Sequence, residues 1–262
     1  MKVCPSCKIK YEDNKKFCKK CGTTLISQIG IDPKVVAQRQ VFENRLQQTP
    51  ENSDLLFEYG SFLAEYTFYD EALTKLYQAS SSDPENLSIS EKIADILIKT
   101  EKYTESIEVL IPLIEKSPNS TTLRDKLITA YLKSDNLSAA QKVSEELLNI
   151  APDNQEYLTR YRDLLKMMPE FEEKLVQICK IIIKINPQEI STLRIYATTL
   201  LSIGNLDGAR GVFKQILKLE PTDPKANLYI AIEEYEQANP EDPKTYNEAI
   251  TRLQKGLKVK DK

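Results

Sequence analysis

Four of the five cysteines of this 262-residue chain lie close to its N-terminus. They form two C-x-x-C pairs, Cys4 with Cys7 and Cys18 with Cys21, and a longer segment separates the pairs. The short gap within each pair lets both sulfurs reach one ion from a single tight turn. Four thiolates around one ion make a tetrahedral zinc site with Zn–S bonds of about 2.3 Å. The spacing therefore predicts one structural Zn²⁺ held by Cys4, Cys7, Cys18 and Cys21.

The segment that carries these cysteines is too small to fold by burial of apolar surface alone. About 25 residues bury too little, so the bound metal is expected to supply most of the stability. Gly22 follows the second pair and suits the positive φ of such a turn, while Tyr11, Phe17 and Leu25 are the candidates for a small core. Two alternatives stay open. Two disulfides are one, although the start MKVCPSCK has no secretory signal; iron in place of zinc is the other.

The two turns resemble the short zinc ribbons found at the N-termini of many bacterial and archaeal proteins. The usual form is CPxCG, a short hairpin and FCxxCG, and this chain has CPSC and FCKKCG with Lys8 in place of the first glycine. The resemblance covers residues 2–25. It implies a small β-hairpin zinc ribbon over residues 1–25, joined by a linker at 26–32 to the rest of the chain. Such ribbons bind proteins or nucleic acids, so the ligand stays open.

Charge is distributed unevenly along the chain. Residues 1–25 carry seven lysines against Glu12 and Asp13, a net charge of +5, whereas the remainder has 29 basic and 37 acidic side chains, a net charge of −8. This asymmetry indicates two structural units. The lysines suit contact with the phosphates of a nucleic acid. The favoured interpretation is solubility and compensation of the −2 charge of a Zn(Cys)₄ centre, because assigning Tyr11 and Phe17 to the core leaves no aromatic stacking platform.

The absence of histidine excludes several kinds of chemistry. It removes the commonest general base, the usual catalytic triads and every metal site that needs an imidazole. The stretch Gly204-Asn-Leu-Asp-Gly208 lacks the order of a phosphate-binding loop and is predicted to be a turn. Cys179 is predicted to be a core residue. No nucleophile–base pair or cofactor motif is visible, so the protein is not expected to be an enzyme.

Apolar runs such as Ile181–Ile183 are far too short to cross a bilayer, which takes about 20 residues. The sequence therefore favours a cytoplasmic protein with reduced cysteines and without membrane insertion.

The rest of the chain has an internal repeat that is marked by prolines. Six of them follow one another at almost constant spacing, namely Pro50, Pro84, Pro118, Pro152, Pro187 and Pro221. The first four lie in the contexts TPEN, DPEN, SPNS and APDN, which indicate a helix end, a proline stop and capping residues for the next helix. Two apolar-periodic stretches lie between successive prolines. Neither helix buries its apolar stripe alone, so neighbouring pairs must stack.

This pattern resembles the tetratricopeptide repeat, a helix-turn-helix unit with a period of about 34 residues. The resemblance covers roughly residues 33–258 and implies an all-α fold, a right-handed superhelical solenoid over residues 33–262. It would contain a half unit at 33–49, five full repeats over 53–223 and an atypical sixth repeat at 224–259. Ile128 and Arg162 depart from the pattern because they take the small-residue position of their units. The fourth unit has an extra residue near Met167–Glu170, and the sixth has a longer loop at 239–243.

In this family the first helix of each unit lines a concave groove that is the usual binding surface. The corresponding positions here form an acidic stripe and a neighbouring basic stripe. The acidic stripe is Glu91, Asp95, Asp125, Glu156 and Asp163, and the basic stripe is Lys99, Lys133, Lys166 and Arg194. Both signs of charge would orient an extended or helical peptide; the alternative is a set of solvated helix faces.

The resemblance thus implies a protein–protein interaction scaffold that binds a partner protein or peptide in the groove, with the zinc ribbon as a second docking module. The alternative is a nucleic-acid-associated factor that uses the basic ribbon.

Overall fold

The N-terminal part of the chain folds into a small antiparallel sheet. The computed structural model describes residues 2–4, 7, 9–12, 15–23, 26–27, 32–236 and 243–257. The strands β1 (Lys2–Val3), β2 (Lys10–Tyr11) and β3 (Ile26–Ser27) lie in the order β2-β1-β3. Lys2 of β1 lies opposite Tyr11 of β2 and opposite Ser27 of β3. The predicted β-hairpin is thus present, as the pair β1–β2.

The third strand changes one predicted boundary. Ile26–Ser27, which the sequence places in the linker, pairs with β1 and belongs to the sheet. Gly22 explains this, because its φ of 73° turns the chain back after the second cysteine pair. The backbone that follows therefore returns alongside β1, and the rest of the predicted linker up to residue 31 lies outside the described residues.

The described residues after the sheet are almost entirely helical. The helices are α1 (Pro33–Gln48), α2 (Ser53–Glu65), α3 (Tyr69–Ser82), α4 (Leu87–Lys99), α5 (Tyr103–Lys116), α6 (Thr121–Lys133), α7 (Leu137–Ile150), α8 (Gln155–Leu165), α9 (Glu172–Ile185), α10 (Ile190–Ser202), α11 (Leu206–Leu219), α12 (Pro224–Glu236) and α13 (Pro243–Leu257). A 3-10 turn at Pro169–Phe171 separates α8 from α9, at the position of the predicted extra residue. The predicted insertion at 239–243 lies outside the described residues except for Pro243. No helix in the described ranges is long and apolar enough to cross a bilayer.

The helices begin where the repeated proline contexts predict. Asn52, Asn86, Ser120 and Asn154 precede α2, α4, α6 and α8, and each side chain accepts a hydrogen bond from a backbone N–H of the first turn. A side-chain acceptor at this position satisfies one of the amides that a helix start leaves without a partner. The fifth such position is Glu189, whose side chain does not cap α10.

The helices of a pair approach closely because small residues line their contact. A Cβ atom added to Gly60 of α2 would lie 2.7 Å from Cγ of Leu76 in α3. In four helix pairs the turn contains one residue with positive φ, and these residues are Thr67, Glu101, Asp135 and Gly204. The predicted turn at Gly204 is therefore present, although Leu206–Gly208 already belong to the first turn of α11.

The chain divides into two compact units, Met1–Leu113 and Ile114–Lys262. In the first, α1 to α4 enclose a core that includes Tyr59, Leu63 and Leu97. In the second, one core lies among α7, α8 and α9 and another among α9 to α12. Each core consists of residues from successive helices, as stacked helix pairs require.

Arg162 is accommodated in a small-residue position without loss of the helix pair. Its side chain is buried, and Nη1 donates to Oε1 of Glu189 at 3.0 Å and to Oγ1 of Thr192 at 2.6 Å. Nε and Nη2 donate to the neighbouring Asp163. The guanidinium thus links α8 to the start of α10, which explains how a charged residue occupies this position.

Candidate functional site

The four predicted ligands come together beside the small sheet. The sulfur atoms of Cys4, Cys7, Cys18 and Cys21 all lie within 4.8 Å of one another. The Sγ atoms of Cys4 and Cys21 are 3.4 Å apart. A disulfide would require about 2.05 Å, whereas sulfurs bound at about 2.3 Å to one tetrahedral ion lie about 3.8 Å apart. The donor set and its spacing therefore fit one thiolate-bound metal ion.

Backbone hydrogen bonds hold the two cysteine pairs in tight turns. The amide of Cys4 donates to the carbonyl of Ile9 at 2.9 Å, and the amide of Cys18 donates to the carbonyl of Thr23 at 2.8 Å. Within the first pair, the amide of Cys7 donates to Sγ of Cys4 at 3.2 Å. Cys4 and Cys18 are buried, whereas Cys21 is exposed. The first cysteine of each pair is therefore buried and holds its turn in place through its backbone amide.

Two hydroxyl groups contact the sulfurs of the second pair. The Tyr11 hydroxyl lies 3.3 Å from Sγ of Cys18, and it accepts a hydrogen bond from the amide of Lys19 at 3.1 Å. Its own proton is therefore available for Cys18. The Thr23 hydroxyl lies 3.1 Å from Sγ of Cys21. Neither hydroxyl was predicted from the sequence, because their approach to sulfur depends on the hairpin and turn geometry. The available signal was the hydroxyl of Thr23, two positions after Cys21.

These hydrogen bonds shift the pKa values of the thiols in different directions. The Thr23 hydroxyl lowers the pKa of Cys21 to about 6, and the Tyr11 hydroxyl lowers the pKa of Cys18. Hydrogen bonding to Cys21 raises the pKa of Cys7 to about 12. Cys18 and Cys21 therefore form thiolates more readily than Cys7 does, and thiolates are the form that binds a metal.

The predicted core of the ribbon is wrong at Phe17. Its side chain is 62% exposed, while Tyr11 packs against the cysteine cluster and Leu25 lies outside the described residues. The reason is the alternation of side chains along extended backbone. Cys18 points inward to the sulfur cluster, so the residue before it points outward.

The predicted groove residues differ in their surroundings. In the unit up to residue 113, Glu91 and Asp95 are half-buried and Lys99 is exposed. In the second unit, Lys133 and Lys166 are exposed, and Asp163 is exposed beside Arg162.

Two of the predicted groove residues form ion pairs between repeats. Asp125 of α6 pairs with Arg160 of α8. Arg194 of α10 donates to Glu220 at 2.7 Å and to Asp223 at 2.6 Å, both just before α12. These pairs fix their side chains in place rather than leaving them as mobile charges.

An apolar stripe on α12 is the feature of this face that sequence reasoning missed. Leu228 lies one repeat after Arg194, and with Ile232 and Tyr235 it occupies one side of the helix at spacings of four and three. The three side chains are 49%, 47% and 55% exposed. The opposite side of α12 is buried through Ala226, Ile230 and Ala231. The signal in the sequence was a first helix with apolar residues all around it.

Cys179 is a core residue, as predicted. It is fully buried in the cluster formed by α7, α8 and α9, and burial raises the pKa of its thiol to about 12. A protonated, inaccessible thiol is unreactive.

A scan against protein-family models found no match, and a search of curated proteins found no significant match. Solved structures do match. YrrB, described as a TPR protein with an unusual peptide-binding site, is 12% identical, with 70% of this chain and 94% of that chain covered and a TM-score of 0.55. MamA is 18% identical, with 67% and 96% covered and a TM-score of 0.54. A chain of Naa15/Naa10 bound to HypK-THB is 15% identical, with 81% and 33% covered and a TM-score of 0.61. The helical part of this chain therefore has the tetratricopeptide repeat fold.

Proposed function

We propose that this chain is a non-catalytic interaction scaffold that binds a partner protein or peptide on the face formed by the first helices of its repeats. The observation that carries the proposal is the exposed stripe of Leu228, Ile232 and Tyr235 on α12. Three large apolar side chains on one side of a helix are a docking feature, since a partner gains by removing them from water. Their spacing suits the anchor residues of a bound peptide.

Charged residues on the first helices of each unit are proposed to orient a bound segment. Exposed Lys133 and Lys166 would attract acidic side chains, and the ion pair of Asp125 with Arg160 offers fixed polar groups. In the unit up to residue 113, Glu91, Asp95 and Lys99 are the proposed contacts. Asp163 and Arg194 complete the proposed set in the second unit. The preferred ligand is thus a peptide with an apolar anchor and charged flanks of both signs.

Two of the similar structures support a binding role for this fold. YrrB is described as having a peptide-binding site, and Naa15/Naa10 is described as bound to HypK-THB. Both descriptions concern partners that are peptides or proteins. This agrees with the proposed class of ligand for the present chain.

Selection of peptides on the purified protein tests the proposal. Short random peptides displayed on phage are selected, and the affinities of the selected peptides are measured for Ile232→Asp. We expect a loss of about tenfold or more, because a charge replaces an apolar anchor. The matched control is Ile181→Asp on α9, where the isoleucine is similarly exposed at 40%. Equal binding to wild type and Ile232→Asp would refute the proposed site.

We further propose that the cysteine cluster holds one structural Zn²⁺ and forms the second docking module, in a compartment that keeps thiols reduced. The bound ion would supply the stability that the small sheet lacks. Native mass spectrometry with elemental analysis should find one zinc per chain, and Cys4→Ser with Cys7→Ser should remove it. Iron in the purified protein, or no metal in protein kept reduced, would contradict the assignment.

A further inference from the structure

The second cysteine turn presents an exposed aromatic ring among lysines. Phe17 is 62% exposed. Lys16 precedes it, and Lys19 and Lys20 lie within the turn between Cys18 and Cys21; all three lysines are exposed. A ring this exposed is accessible to a partner. Assigning Phe17 to the core had left the ribbon without an aromatic side chain on which a base could stack. The exposed ring supplies one.

The backbone beside this ring is held by the turn that follows it. The amide of Cys18 donates to the carbonyl of Thr23 at 2.8 Å, and the amide of Gly22 donates to the carbonyl of Cys18 at 2.9 Å. The Cys18 sulfur lies in the four-sulfur cluster. Because Phe17 is bonded directly to this anchored residue, the backbone that carries its ring is held in place, which lowers the entropic cost of binding.

We propose that this surface binds single-stranded nucleic acid, with one base stacked on Phe17 and phosphates beside Lys16, Lys19 and Lys20. Aromatic stacking together with a basic surface is the combination that holds single strands without sequence preference. The side chains of residues 1–25 carry +5, and a Zn(Cys)₄ centre of charge −2 still leaves +3. This proposal is independent of the site on α12.

The chemistry of the surface favours a single strand over other anionic partners. In a duplex the bases remain stacked on one another, so a ring on the protein surface gains little. A membrane surface rewards a larger apolar area, whereas among the ribbon residues whose burial is described the exposed large apolar side chains are Ile9 and Phe17. An acidic peptide would use the lysines but not the ring. A single strand is the partner that uses both.

The first test is fluorescence polarisation of a labelled single-stranded oligonucleotide with the full-length, zinc-loaded protein at low salt. Phe17→Ala should weaken binding about tenfold or more, and Phe17→Trp should retain it, because base–aromatic stacking is lost only in the first variant. Tyr66→Ala is the matched control, since it removes another exposed aromatic ring. Zinc content is measured for each variant, so that loss of the ribbon is distinguished from loss of stacking.

The second test is the salt dependence of the same binding. Replacing Lys19 and Lys20 by alanine should reduce the slope of log K against log salt by about 1.4, since each phosphate contact to a single strand contributes about 0.7. The proposal would be overturned if the oligonucleotide stayed unbound at low salt or if Phe17→Ala bound it as tightly as wild type does. Equal affinity for a duplex and for a single strand would also overturn it. So would Phe17-dependent sedimentation with phosphatidylserine vesicles without oligonucleotide binding. If Ile232→Asp weakened oligonucleotide binding as much as Phe17→Ala does, the site would not be on this turn.

Discussion

The Tyr11 hydroxyl links the backbone of the second cysteine turn to Cys18, one of the four proposed metal ligands. It accepts from the amide of Lys19 and lies 3.3 Å from Sγ of Cys18. A hydrogen bond to a ligating atom fixes the orientation of that ligand and favours its charged form. Cys18 is buried and Tyr11 packs against it, so little water competes for this contact. The hydroxyl would therefore act through Cys18 as a positioning group for the proposed metal.

Replacing Tyr11 by phenylalanine tests this role while the ring is kept. We expect the affinity for Zn²⁺ to fall by about 10- to 100-fold, the usual effect of removing such a partner. Competition with a chromogenic chelator measures the affinity. Tyr66→Phe is the control, because it removes the hydroxyl of an exposed tyrosine outside the ribbon. Unchanged affinity in Tyr11→Phe would show that the hydroxyl does not support the ligand.

The buried pair of Arg162 and Glu189 makes stability depend on pH. Burial raises the pKa of Glu189, but hydrogen bonds from Ser191, Thr192 and Arg162 outweigh it and hold the pKa below the ordinary 4.5. A carboxyl group whose pKa is lowered by folding contributes stability above its unfolded pKa. That contribution is lost as the pH falls through the folded pKa.

Arg162→Met should therefore destabilise the protein by about 3 kcal/mol at neutral pH, because it leaves Glu189 charged and poorly solvated. The difference from wild type should shrink below pH 4.5, where Glu189 becomes protonated. Urea unfolding over a pH series measures both effects. Arg45→Met is the control, since Arg45 and Glu58 form an exposed pair at 3.8 Å. A difference that is constant with pH would rule out the pair as its source.

At the scale of elements, the features that depend on neighbouring residues were predicted from the sequence, whereas those that depend on strand pairing were not. The helix starts followed from proline and asparagine in the repeated pattern, because capping depends on neighbouring residues alone. The strand at Ile26–Ser27 and the outward position of Phe17 depend on how the chain returns to β1, which the sequence does not express locally. The stripe on α12 was visible in the sequence as apolar residues on every side of a helix, but the predicted groove residues end at Arg194 in α10.

Capping by Asn154 provides a prediction for one element. Its side chain accepts from the amide of Tyr157 at 3.1 Å at the start of α8. Asn154→Ala should lower the free energy of unfolding by about 1 kcal/mol, because that amide loses its partner. Denaturant unfolding measures the change, and Gln155→Ala, at an exposed neighbouring position, is the control. Equal losses in both variants would indicate a general effect on the helix rather than capping.

At the scale of the molecule, the charge asymmetry predicted a boundary between the cysteine-containing part and the helical part. It did not predict the division into units at Leu113 and Ile114. That division falls inside α5 next to Pro112, within repeats of similar composition. Proline inside a helix removes one backbone hydrogen bond, and it was the local signal available. The cores of the helices consist of their own apolar residues, whereas the buried residues of the ribbon are Cys4 and Cys18.

Removal of the metal should consequently unfold the ribbon and leave the helices intact. We expect a chelator to leave the circular dichroism at 222 nm nearly unchanged, because the ribbon contributes strands and turns. Four thiols should then react with a thiol reagent, and the fifth, Cys179, should react only after denaturation. A large loss of helical signal, or five reactive thiols before denaturation, would show that the two parts depend on each other.

The turns inside the helix pairs contain positions at which a substitution should raise the thermal stability of this protein. Thr67, Glu101 and Asp135 adopt φ values of 63°, 62° and 60°, whereas the same turn in a later repeat uses Gly204. A side chain in this conformation costs about 1 kcal/mol, and the cost is greatest for a β-branched residue. Glycine at Thr67 would remove the cost, partly offset by its greater freedom in the unfolded chain. Gly204 thus shows which residue type at the position of Thr67 would give a more heat-resistant variant.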